Sequence, residues 1–183
     1  MSQPSSGFFK RMMSGWGFSW GGLIDNRRGE WWLFGQLFLI AAHLTPPFPG
    51  LEWVRFEWPL QLVFLGICLF FVGILIAIRA FFRLGPSLSP LPDPKPGAEL
   101  VLIGSYEKCR HPLYQGLLIS SFGVTLYLGS LVHLVLFISL AALLIGKARR
   151  EERKLLIAHP GYKFYIAKTP AIISWLPFLD WRV

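Results

Sequence analysis

The sequence is short of charged residues, of acidic ones above all, and of cysteine. Only 15% of its 183 residues are charged, whereas a soluble globular domain carries about 25% charge. Only 10 residues are Asp or Glu. The two cysteines, Cys68 and Cys109, are too few for a disulfide framework. This composition argues against a soluble enzyme and excludes disordered, collagen-like and disulfide-stapled chains. The first 20 residues also lack the continuous apolar core of a signal peptide.

The chain has long apolar runs instead, and 54% of its residues are hydrophobic, with 8 Trp and 16 Phe among the aromatic ones. About 20 apolar residues are enough to span a bilayer core. Gly129-Ser130 lies near the middle of the longest run and predicts a tight turn between two helices, over 112–128 and 131–150. We therefore predict four membrane spans; the alternative is three, with the longest run forming one tilted helix. The apolar runs cover residues 31–44, 59–82 and 117–146.

The positions of the basic residues test this topology. If residues 1–30, 79–110 and 147–183 face the cytoplasm, they hold all of the 18 Lys and Arg except Arg55. The positive-inside rule then favours four spans, with both termini and the active site on the cytoplasmic side. The net charge of +8 is explained by this orientation and by attraction to anionic membrane lipids. No basic groove with interleaved aromatic residues is present, so we predict no nucleic-acid partner.

Three segments follow from this pattern. Residues 1–28 form an N-terminal stretch that is either interfacial or disordered. Residues 29–83 hold the first two spans, and residues 84–183 hold a connector, a helical hairpin and a C-terminal helical segment. The predicted fold class is thus an all-α integral-membrane bundle of about four transmembrane helices with a cytoplasmic connector.

The connector and the start of the third span carry the first candidate site. Five prolines between 86 and 96 exclude a helix there and predict an extended chain, and the short apolar stretch 100–103 favours a β conformation. Pro112 favours the first helical position, which places His111 at or near the N-cap. A helix start flanked by Arg110 and His111 suits a carboxylate or a phosphate. The alternative is an anchor for the helix end at the lipid headgroups.

A second candidate site follows the fourth span, where the helix is expected to continue through charged residues until His159-Pro160-Gly161 ends it. Glu151 and Glu152 are adjacent and must point in different directions, so one of them can face the bundle. A carboxylate at the inner edge of a membrane bundle is costly and usually functional. The alternative is an ordinary solvated charged face.

Taken in order, these residues resemble the isoprenylcysteine carboxyl methyltransferase family. That family belongs to a wider group of integral-membrane methyltransferases that includes phospholipid N-methyltransferases. The matching positions are Gly104, Tyr106, Arg110, His111, Pro112, Tyr114 and Gly116, then Arg150, Glu151, Glu152 and Leu155, then Gly161, Tyr162 and Tyr165.

The resemblance implies S-adenosylmethionine as methyl donor and a lipophilic small molecule or lipidated substrate that enters from the bilayer. It implies direct methyl transfer, with Glu151 binding the amino group of the donor. Lys147 stands where the family carries the arginine that binds a substrate carboxylate. Arg110, Lys147 and Arg150 are the predicted catalytic residues. The cations Lys147, Arg149 and Arg150 favour an anionic acceptor, and so methylation of a carboxylate oxygen. The implied cofactor-binding residues are Glu99, Leu100, Val101, Tyr106, His111, Pro112, Leu113, Tyr114 and Glu151.

Three alternatives stay open at this point. The protein could be a phospholipid N-methyltransferase, a membrane NADPH-dependent reductase of the sterol reductase type, or a non-enzymatic protein that kept the fold. The paired carboxylates favour a methyltransferase over a reductase, whose larger cofactor calls for more phosphate-binding residues. His43, His133 and His159 are too widely spaced to predict a metal site.

Overall fold

A computed structural model describes residues 20–48, 57–95, 97 and 99–182, and within these ranges the chain is helical and contains no strand. The predicted N-terminal segment lies largely outside these ranges, as does Arg55. A 3-10 turn at Gly85–Ser87 follows the third helix. The α-helices are α1 (Trp20–Asp25), α2 (Glu30–Ala42), α3 (Leu60–Leu84), α4 (Ser105–Lys108), α5 (Pro112–Leu128), α6 (Leu131–Ala158) and α7 (Tyr162–Lys168).

Two of the described helices are long and apolar enough to cross a membrane. They are Leu60–Ser87, which adds the 3-10 turn to α3, and α6, and each has 28 residues. Of the shorter helices, α2 is apolar and has 13 residues, and α5 has 17 residues. Bulky side chains on the outer face of α3, such as Phe64 and Phe71, are exposed, as a helix in contact with lipid requires.

The helix ends fall where the sequence predicts breaks. Pro59 precedes α3. Gly129 adopts the left-handed conformation (φ 57°) that ends α5, and Ser130 precedes α6, which confirms the predicted hairpin turn. His159 follows the last residue of α6 and ends it. The stretch 100–103, predicted to favour a β conformation, is irregular instead, because no neighbouring strand exists among the described residues to pair with it.

Helices α3 and α5 pack antiparallel at very short range through small residues. A Cβ atom added at Gly73 would lie 2.5 Å from the Gly116 carbonyl oxygen, and one added at Gly66 would lie 2.6 Å from the Gly123 carbonyl oxygen. Only glycine permits this approach of two backbones, which is a common way of joining helices within lipid. The pair holds the start of α5, and therefore His111, at the cytoplasmic end predicted for α3.

A buried core lies between α5, α6 and the C-terminal segment. Leu118, Leu140, Leu144 and Ile172 are at most 1% exposed and belong to one cluster. Helix α2 packs along the same stretch of α6. The C-terminal segment after α7 therefore returns to the bundle and closes one end of it.

Candidate active site

The C-terminal segment pairs with the residues just before α5. The backbone N–H groups of Arg110 and His111 donate to the carbonyl oxygens of Pro170 and Ala171, both at 2.9 Å. His111 occupies the N-cap of α5, as predicted. These two N–H groups are engaged within the protein, because the returning chain supplies acceptors that the sequence pattern did not reveal.

Glu152 lies at the centre of a buried network that joins three parts of the chain. Its carboxylate accepts from the Arg110 guanidinium (Nε to Oε1, 2.7 Å) and from the Trp181 indole (Nε1 to Oε2, 2.6 Å), and it contacts His111 Nε2 at 2.9 Å. Arg110 Nη1 also donates to the carbonyl oxygens of Ile166 and Thr169, at 2.9 and 2.6 Å. The Arg110 charge is thus fully committed to holding α6, α7 and the start of α5 together.

Glu151, the neighbouring carboxylate, is only partly buried. Its Oε2 accepts a hydrogen bond from the Tyr114 hydroxyl at 3.1 Å and lies 3.8 Å from His111 Nδ1. The Tyr114 and His111 rings stack with their centroids 5.3 Å apart. No protein donor among the described residues reaches Glu151 Oε1, so this oxygen is free to accept from a ligand.

Two adjoining cavities share a wall made of Leu84, Ser89, Tyr106, Arg110, His111 and Glu151. The first, of about 200 Å³, lies toward the helical bundle. The second, of about 70 Å³, lies beneath the connector and α7. The first cavity is also lined by Leu33, Gln36, Phe81, Leu88, Leu113, Tyr114 and Lys147, and the second by Glu99, Leu100, Val101, Leu155, Tyr162 and Tyr165.

Lys147 is the other buried cation on the first cavity. Its ammonium group donates to Gln36 Oε1 at 2.6 Å and to the Pro90 carbonyl oxygen at 2.8 Å, and it lies 5.5 Å from the centre of the Tyr114 ring. The residue is only 2% exposed. These contacts connect α6 to α2 and to the proline-rich connector.

The tyrosines around the second cavity are held neutral. Burial raises the pKa of Tyr106 above its usual range, with a further contribution from the Glu151 carboxylate. Burial likewise raises the pKa of Tyr162, and the Glu152 and Glu151 carboxylates add to this effect. The Tyr165 hydroxyl donates to the Tyr106 carbonyl oxygen. These side chains therefore present hydroxyl groups and flat apolar faces to the cavity at neutral pH.

Most of the predicted site residues line one or both cavities, but two do not. Pro112 is buried beside them, and Arg150 points toward Asp93 of the connector, with Nε 3.5 Å from Oδ1. The sequence missed three residues that the fold brings to the site or its support: Glu152, Trp181 and Gln36. Glu152 belonged to the quoted motif, but its spacing could not show which of two adjacent carboxylates is buried.

The fold and the cavities describe a helical protein with long apolar helices and a buried acid–base site at one end of the bundle. The family model for phospholipid methyltransferases matches residues 62–159, more than half of the chain. No curated protein matches this chain.

The chain belongs to the phospholipid methyltransferase family, whose members are membrane enzymes related to the isoprenylcysteine carboxyl methyltransferases and use S-adenosylmethionine. The protein is therefore a membrane-associated methyltransferase, which confirms the wider group of integral-membrane methyltransferases that its motifs resemble. The reductase and non-enzymatic alternatives are not supported by this match.

Proposed function

We propose that the protein transfers a methyl group from S-adenosylmethionine to a lipophilic acceptor at the cytoplasmic surface of a membrane, and that the acceptor group is a carboxylate. The observation that carries this proposal is the pair of adjoining cavities, which differ in chemistry and meet at Glu151 and His111.

The second cavity and the shared wall fit the donor. Its amino acid part needs an anionic partner for its ammonium group, and one carboxylate oxygen of Glu151 has no donor within the described part of the chain. Its adenosine part needs apolar and aromatic surfaces, which Leu100, Val101 and Tyr106 can provide. The two cavities together approach the lower end of the range of about 300–1,000 Å³ for small-molecule sites. We assign donor binding to the residues predicted from the family motif, with Pro112 fixing the helix start.

The first cavity fits a lipid-like acceptor, because its walls are mostly apolar and it opens toward the bundle. Leu33 of α2, Phe81 and Leu84 of α3, and Leu113 of α5 line it. Lys147 is its one buried cation that is not held in an ion pair among the described residues. A carboxylate acceptor would give Lys147 an ion-pair partner.

Bound S-adenosylmethionine supplies an electrophilic sulfonium methyl group, so the residues mainly align the two reactants. A carboxylate is already a nucleophile and needs no general base. Lys147 would hold it, and Arg110 would keep His111 and the shared wall in position. Arg150 would act from outside the cavities by fixing the connector through Asp93.

Methylation of a phospholipid amine is the second candidate, and Glu151 is the observation that favours it. Glu151 lines both cavities, and its Oε1 has no donor among the described residues, so this carboxylate could bind an acceptor ammonium or remove its proton. The family's description names phospholipid methylation directly. This candidate assigns Glu151 to the acceptor and leaves the donor ammonium to another partner.

For the membrane topology, we propose four spans made by α2, α3, α5 and α6, with both termini in the cytoplasm. The packing of α2 on α6 and of α5 on α3 supports this arrangement, since each shorter helix lies along a long apolar one. The distribution of basic residues supports the orientation.

The test is incubation of the purified full-length protein with methyl-labelled donor and three acceptors that carry the same acyl or prenyl chain. These carry a carboxylate, a phosphoethanolamine and an alcohol head. Methyl esters release volatile label as methanol in mild alkali, whereas N-methyl groups keep it. Volatile label from the carboxylate alone supports the proposal. Alkali-stable label in the phosphoethanolamine lipid would establish the second candidate, and no labelling of any acceptor would contradict both.

A further inference from the structure

Lys147 is a buried cation whose protein partners are both uncharged. It donates to a side-chain amide oxygen of Gln36 and to the Pro90 carbonyl oxygen, and no carboxylate of the described residues forms an ion pair with it. The Glu151 carboxylate on the same cavity interacts electrostatically with this ammonium but lies beyond ion-pair distance, so the buried charge is only partly compensated. Arg110, on the same cavity, has its counter-charge in Glu152. The wall at Lys147 is therefore the part of the cavity that would gain most from an anionic ligand.

Gln36 lies next to Lys147 on this wall. It belongs to α2, outside the segment that the family model matches. It is 8% exposed and lines the first cavity. Its Oε1 accepts a hydrogen bond from Lys147 at 2.6 Å, so this bond does not use the amide nitrogen Nε2. Nε2 has no acceptor among the described residues, although an amide nitrogen carries two hydrogens to donate. The Gln36 side chain is mostly buried, but Nε2 is not sealed off, so this donor on the cavity wall can bind a ligand oxygen.

We propose that Gln36 and Lys147 form a subsite for the negatively charged oxygens of the acceptor headgroup, with Gln36 as a specificity-determining residue. The inference rests on the proposed function and adds Gln36 of α2 to the acceptor site. The Gln36 amide and the remaining Lys147 N–H both donate to the same group, which is a carboxylate or a phosphate. The apolar walls around them hold the attached chain. A carboxylate would be the methylated group itself, whereas a phosphate would hold a phospholipid next to Glu151.

The test measures binding of radiolabelled dodecanoate to the full-length protein in phosphatidylcholine nanodiscs, with empty nanodiscs subtracted. Dodecyl phosphate and dodecanol serve as competitors, and S-adenosylhomocysteine affinity is measured on the same samples. Gln36→Leu is expected to weaken dodecanoate about tenfold or more, because it removes a hydrogen bond to a charged group. Gln36→Glu is expected to abolish dodecanoate binding by like-charge repulsion. Gln115→Leu, the same change at a residue outside both cavities, should leave it unchanged.

Each outcome has one meaning. Unchanged dodecanoate affinity in both Gln36 variants would overturn the subsite, as would competition by dodecanol as strong as that of dodecyl phosphate. Competition by dodecyl phosphate stronger than by unlabelled dodecanoate supports the subsite and identifies phosphate as its ligand. Absence of S-adenosylhomocysteine binding in the unaltered protein would contradict the proposed function alone. If Gln36→Leu does not fold, the polar Gln36→Glu variant still decides the question.

Discussion

Removal of the Glu152 carboxylate is the sharpest test of how the site is held together. In Glu152→Ala, the buried Arg110 guanidinium loses its counter-charge, while its Nη1 keeps the carbonyl acceptors of Ile166 and Thr169. The Trp181 indole loses its acceptor in the same step. Breaking a buried ion pair from one side costs about 3–5 kcal/mol. In a chain of this length, each kcal/mol corresponds to about 2–4 °C in Tm.

We therefore expect Glu152→Ala to lower the Tm of the detergent-solubilised protein by about 10 °C, measured by tryptophan fluorescence without ligand. Glu57→Ala is the matched control, because Glu57 is exposed before α3 and its removal should leave the Tm within about 1 °C. The double variant Arg110→Met, Glu152→Leu should recover part of the loss, since a well-packed apolar pair can replace a buried ion pair. A Tm change below about 2 °C for Glu152→Ala would refute the reasoning that Glu152 neutralises Arg110.

Three further predictions follow from the packing and from the buried groups. Gly73→Val should destabilise the protein by roughly 1–3 kcal/mol in a thermal or denaturant assay, because α3 and α5 must separate to admit the side chain. Gly161→Ala is the control and should have little effect, because this glycine has open space around it. N-ethylmaleimide at pH 8 should leave Cys109 unlabelled in the folded protein, since burial raises its pKa to about 12, and mass spectrometry after proteolysis would reveal labelling that contradicts this. The unfolded thiol ionises near pH 8.5, so this raised pKa also predicts that stability falls as pH rises from about 9 to 12, and that Cys109→Ala reduces the slope of Tm against pH.

Much of the helical framework could be predicted from the sequence, because its signals are local. A glycine-serine pair set the turn between α5 and α6, and a His-Pro-Gly sequence ended α6. Apolar length predicted α3 to within a few residues of its observed ends. The short α4 helix was not predicted, because one turn leaves no periodicity to detect; its Gly104 N–H is held by Glu107 at 2.9 Å.

The site was only partly predictable, because its support depends on contacts between distant parts of the chain. The motif predicted one site for Glu151, His111 and Tyr114, and in the structure these residues contact each other. No local pattern could show that Trp181, 29 residues after Glu152, returns to donate to it. In the same way, Gln36 meets Lys147 only because α2 packs on α6, 111 residues away in sequence. Such pairings are set by tertiary packing rather than by periodicity.

The central claim, that the cavities at Glu151 bind the methyl donor, is tested most directly by isothermal titration of the purified full-length protein with S-adenosylhomocysteine. The account predicts saturable one-to-one binding to the unaltered protein, no binding of NADPH, and loss of binding in Glu151→Ala at an unchanged Tm. Undiminished affinity in Glu151→Ala would contradict the assignment of the donor ammonium to this carboxylate, and no binding to the unaltered protein would contradict the claim itself.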